Sequence, residues 1–123
     1  MTAKTPSLAF LDEIVAPGVV DAMKTSSTRL RALGVRHLLV GGLAVAAHGY
    51  ARATKDVDFL VGDEAFDHHA GGVVTMKYGV PIQVGNIVVD HLTVGADERF
   101  LEDALNATTT DDSVPIAPAG VLV

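Results

Sequence analysis

Asp56 and Asp58 occupy alternate positions in "KDVDFLV", where Val57, Phe59, Leu60 and Val61 otherwise spell a buried strand. An unpaired carboxylate in such a strand costs several kcal/mol, so a chain that carries two of them must expect positive charge nearby. Side chains at i and i+2 share one face of a strand, so the two acids project together while Val57 and Phe59 face the other way. Two carboxylates on one face repel, and a divalent cation relieves that repulsion. With oxygen donors alone, Mg²⁺ or Mn²⁺ is the expected ion rather than zinc.

The residues before this pair set up its other half. "VRHLLVGG" reads as a buried strand that runs into the glycine pair Gly41-Gly42. The Ala-rich "LAVAAHG" then forms a short helix, with Gly49 as its terminator. At a strand-to-helix turn, glycines let backbone N–H groups approach phosphate oxygens, and the positive end of the following helix favours an anion. Arg52 and Lys55 are charge partners for phosphate, although Arg52 serves equally well as a partner of the acids. A third acid is expected at Asp90, which breaks the β-branched run "IVVDHL" and which a neighbouring strand can bring to the same place. Taken singly, a glycine pair marks a turn and Asp-x-Asp a strand end; the functional expectation rests on their joint order.

That order resembles the nucleotidyltransferase superfamily of the polymerase-beta type: a strand ending in a glycine pair, a short helix, Asp-x-Asp on the next strand, and a later third Asp. More narrowly, "GGLAVAAHGYARATKDVDFLV" is similar to the small bacterial group related to AbiEii-type toxins of toxin–antitoxin systems, where His48-Gly49, Arg52 and Thr54 recur before the acidic pair. The resemblance is strong over Val35 to Val61 and weak over Ile87 to Leu92. It implies transfer of a nucleoside monophosphate from a nucleoside triphosphate to an acceptor hydroxyl, on a tRNA, a protein or a small molecule. Asp56, Asp58 and Asp90 would hold Mg²⁺ and act in catalysis, and Gly41, Gly42, Arg52, Thr54 and Lys55 would bind the nucleotide. It also implies a C-terminal helical part that the chain lacks after "VPIAPAGVLV", and a longer insertion than Gly62 to Val73 provides. The alternative is a weakly active relative that binds nucleotide or protein through the same cleft; the third reading is an oligomeric domain whose acids are structural.

With 123 residues the chain is long enough for one core, so a single α+β domain is expected over 1-123, a nucleotidyltransferase-like mixed sheet flanked by helices. A net charge of -6 argues against a generic nucleic-acid binder. The absence of cysteine excludes disulfides and thiolate metal sites. The longest uncharged stretch, from Leu38 to Arg52, is interrupted by glycines and His48 and is a poor membrane span. Asp12 and Glu13 lie where a signal peptide would be apolar, so a cytoplasmic protein is expected. Helices are predicted at Ser7 to Val15, stopped by "APG", at Val19 to Leu33, stopped by Gly34, and from Asp97 to Leu105. "DEAFDHHA" reads as a helical turn or two capped by Asp63, with His68-His69 on a solvated surface. "VVTMKYGVPIQV" reads as two short strands around Gly79 and Pro81, with Lys77 and Tyr78 on a strand edge, and "NIVVDHLTV" as a third strand. His48 is expected to bond locally at a helix end. A mean hydropathy of +0.36 and the apolar end "IAPAGVLV" predict a homodimer.

Overall fold

The computed structural model describes residues 17–48, 54–93, 103, 105 and 114–117. Within them the chain is α+β, built on a mixed four-stranded sheet. Helix α1 spans Pro17–Ala32 and β1 His37–Val40; α2 follows at once over Gly41–Ala47. Then come β2 (Val57–Val61), β3 (Phe66–His68), β4 (Val74–Met76), β5 (Gln83–Val84) and β6 (Ile87–Thr93). The sheet order is β1-β2-β6-β5, with β3 and β4 forming a separate ribbon. β2 runs antiparallel to β1 and parallel to β6, and β5 pairs antiparallel with β6.

Pro17 opens α1, because a first-turn residue needs no N–H partner and proline's fixed φ suits the position. The helix closes as the sequence predicts: Gly34 takes φ +74° and Val35 N–H reaches back to Leu30 O at 2.9 Å. Its buried stripe, Val19, Val20, Met23, Ser27 and Leu30, recurs at helical spacing and packs on β1, β2, β5 and β6. Leu39, Val57, Phe59, Val61 and Val89 meet this stripe from the sheet, and Leu43, Ala44, Ala46 and Ala47 of α2 join the same core. Leu38, Val40 and Leu60 belong to a second, smaller cluster with Leu105 and Ala117.

Two local expectations are corrected. Asp63 is not a cap: Gly62 holds that position, and Asp63–Ala65 forms a single 3-10 turn before β3. Lys77 lies just past β4 and Tyr78 in the turn that follows, so neither is on a strand. The predicted helix at Ser7 to Val15 and most of the one from Asp97 lie outside the described residues, although Asp103 and Leu105 are helical. Among the described residues no helix is long and apolar enough to cross a membrane.

The turn after β2 is held by a clamp that the sequence does not advertise. Arg36 donates from Nε to Glu64 Oε2 at 2.8 Å and from Nη2 to Oε1 at 3.0 Å, and its backbone N–H adds a third bond at 2.7 Å. Bonding to this guanidinium draws the Glu64 carboxyl down from 4.5 to about 2, against the opposing effect of burial. A lowered carboxylate contributes stability above pH 4.5 that is lost as pH falls toward 2. Glu64→Gln is therefore expected to cost about 1 kcal/mol at neutral pH, since the pair is partly solvated, and to flatten the acid limb of the stability profile. Urea titrations at pH 7 and pH 3 check it: an equal loss at both would show that the charge contributes nothing.

Candidate functional site

β2 lies between β1 and β6, and that position assembles the site. In register, Val40 faces Asp58 across β1 and β2, and Asp58 faces Asp90 across β2 and β6. Cross-strand partners project from the same face, so the two carboxyl groups meet, and they lie within hydrogen-bond reach. Their face is the one carrying Leu38, Val40 and Leu60, opposite the α1 core. Asp56 sits just ahead of β2 at i-2 from Asp58; Asp56 and Asp90 are exposed, and Asp58 is half-buried.

This crowding has an electrostatic consequence. Burial pushes the Asp58 carboxyl up first, followed by the charges of Asp90 and Asp56 and then by the hydrogen bond to Asp90. A raised carboxyl contributes stability below its unfolded value of 3.8 and loses it as pH rises through the higher folded value. Near neutral pH the ionised Asp58 therefore weakens the fold, and a cation placed beside it would restore what is lost.

Gly41 makes the close approach possible. It takes φ +70°, a region that L side chains rarely occupy, and a methyl group built there would overlap Asp58 Oδ2. Gly42 follows as the second residue of α2, so the strand passes into the helix with no intervening loop. Thr54 Oγ1 donates to Asp56 O at 3.2 Å, which orders the approach to β2, and Lys55 is exposed beside it. Arg52 and Gly49 lie outside the described residues.

His48 does not bond only locally: at the end of α2, its Nε2 donates to Ala117 O at 2.8 Å. Residues 114–117 run alongside the free edge of β1, with Leu39 N–H on Pro115 O at 2.8 Å and Ala117 N–H on Leu39 O at 2.9 Å. That stretch of the apolar tail is thus satisfied by its own sheet. His68 and His69 are exposed and diverge, the first to Asp63 Oδ1 at 2.9 Å and the second to Thr75 Oγ1 at 2.7 Å.

Among the described residues no three acidic or imidazole side chains stand close enough to enclose an ion. Asp58 and Asp90 face one another across β2 and β6, and Asp56 acts on Asp58 through its charge. Two carboxylates on one open face still fit Mg²⁺, which keeps most of its waters and takes one or two protein carboxylates together with substrate phosphates. The all-oxygen donor set excludes a preference for soft metals.

Compared with protein-family models, curated proteins and solved structures, the chain matches none.

Proposed function

We propose that the protein is a nucleotidyltransferase of the polymerase-beta type, related to AbiEii-like toxins, that moves a nucleoside monophosphate from a nucleoside triphosphate to an acceptor hydroxyl. The observation that carries this reading is the Asp58–Asp90 register beside Gly41, with Asp56 two residues upstream. In the transfer an acceptor oxygen bonds to the α-phosphorus, the α–β bridging bond breaks, and pyrophosphate leaves. Mg²⁺ supplies charge neutralisation of the triphosphate. Asp58 and Asp90 present their carboxylates to that charge, and the exposed Asp90 is placed to orient the acceptor hydroxyl. Gly41 keeps the backbone clear of the acids, and Lys55 stands at the exposed rim with Arg52 before it in sequence.

Isothermal titration with ATP, GTP, CTP and UTP, each with and without Mg²⁺, tests the proposal. At least one should bind in a metal-dependent way; no heat from any of the four sinks it. That no three acidic side chains among the described residues gather closely enough to enclose an ion favours a second reading, a weakly active relative that binds nucleotide without efficient transfer. Binding without release of pyrophosphate selects that reading.

The same proposal includes a homodimer. Residues 114–117 no longer argue for it, but Tyr78 and Ile82 are 95% and 63% exposed, and Val73, Val74, Val88 and Leu92 are exposed as well. Val88 and Leu92 alternate with Asp90 along β6, and exposed apolar side chains in such number on a small domain favour a contact surface. Light scattering is expected to give twice the chain mass of 12.8 kDa. A monomer up to millimolar concentration removes the dimer and leaves the chemistry untouched.

A further inference from the structure

On the sheet face opposite the acids, a buried histidine ties α1 to β1. His37 is 6% exposed and stands edge-on to the Phe59 ring at 5.4 Å between centroids. Its Nδ1 lies 2.9 Å from Val35 O, and its Nε2 lies 2.6 Å from Ser27 Oγ on α1. A carbonyl only accepts, so Nδ1 carries the hydrogen; in the neutral ring Nε2 must then accept from the Ser27 hydroxyl. This is the one state in which the ring is uncharged and both nitrogens are satisfied.

We propose that the Ser27–His37–Val35 link is an acid-sensitive latch: it holds α1 on the sheet near neutral pH and releases the helix as the imidazole takes a proton. Protonation turns Nε2 from acceptor into donor, so Ser27 must rotate and send its own hydrogen elsewhere inside a helix–sheet interface where Ser27 is 1% exposed. The new charge would also be buried. Among the described residues, the charged or titratable groups acting on it are Arg31 from α1 and His91 from β6, both of the same sign when protonated; β2 contributes only the Phe59 ring. Burial, with Arg31 adding to it, accordingly holds the His37 ring below its ordinary 6.5, against the bond to Val35 O. When α1 lifts away, the ring meets water and protonates in the ordinary range, so acid favours the open form. This device is independent of the nucleotide chemistry.

The measurement is native-state amide hydrogen exchange of the full chain from pH 7.5 to 5.5, corrected for intrinsic exchange. Below about pH 6.5 the opening constant of α1 amides is expected to rise toward tenfold per pH unit, the limit for uptake of one proton. In His37→Gln, whose amide retains a donor and an acceptor without titrating, that rise should disappear. An α1 opening constant that is flat with pH, or a rise that is identical in His37→Gln, overturns the latch. Should the variant fail to fold, ¹⁵N spectra of the imidazole in the unmodified protein decide: Nδ1–H with a bare Nε2 at pH 7.5, and protonation in step with α1 opening, support it. The opposite tautomer, or a ring that stays neutral while α1 opens, overturns it.

Discussion

Asp58→Asn is expected to make the metal-free protein more resistant to unfolding near neutral pH while weakening Mg²⁺-dependent nucleotide binding about a hundredfold or more, the equivalent of about 2.7 kcal/mol. The two effects have one cause. Asp58 is pushed up by burial and by the charges of Asp90 and Asp56, so ionising it costs the empty fold. An amide of the same shape removes that cost and retains a hydrogen-bonding group toward Asp90. It cannot offer an anionic oxygen to a cation, so the binding face is left with one carboxylate of the facing pair instead of two. The pH dependence follows from the sign: because the folded value lies above 3.8, the stability gap between variant and parent should be near zero in acid and open as pH rises through the folded value. Thermal melts from pH 3.5 to 8, paired with nucleotide titrations, measure both effects. A variant that binds Mg²⁺-nucleotide as tightly as the parent removes Asp58 from the site, and one that is no more stable shows that the carboxylates are not in conflict.

Gly41→Ala is expected to destabilise the fold and to move the acids. Holding a residue with a Cβ at φ +70° costs about 1–2 kcal/mol. The methyl would also fall on Asp58 Oδ2, and relieving such overpacking typically costs about 1–3 kcal/mol more. The obstructing atom is the end of a side chain, so part of the second cost is avoided if Asp58 swings away. That escape itself affects function, because the swung carboxylate no longer meets Asp90. Nucleotide affinity should thus fall even in protein that remains folded, as circular dichroism and titration on one sample would show. Equal stability and affinity in variant and parent would mean that the turn tolerates a side chain and that the close approach at Gly41 is incidental.

Much of the site is legible locally. Asp58 shares a face with Leu60 because the strand period is two, and the same period led to the expectation for Asp56, which the structure places just ahead of β2. Gly34 ends α1 and Gly41 ends β1, each at a positive φ that the missing Cβ allows. The 3-10 turn at Asp63–Ala65 followed by a three-residue strand could not be read in this way, since neither element is long enough to show a period.

The strand–glycine–helix–strand order and the α+β class could be read along the chain, because each depends on neighbours within a few residues. That β6 lies parallel beside β2, which turns Asp90 from an acid in an apolar run into the partner of Asp58, depends on how the sheet assembles. Tertiary packing likewise brings His48 to Ala117, Arg36 to Glu64, and Ser27 to His37 under α1. Those pairings join residues distant in the chain, and the packing of helix on sheet selects them; no local pattern encodes which donor will face which acceptor once the core has closed.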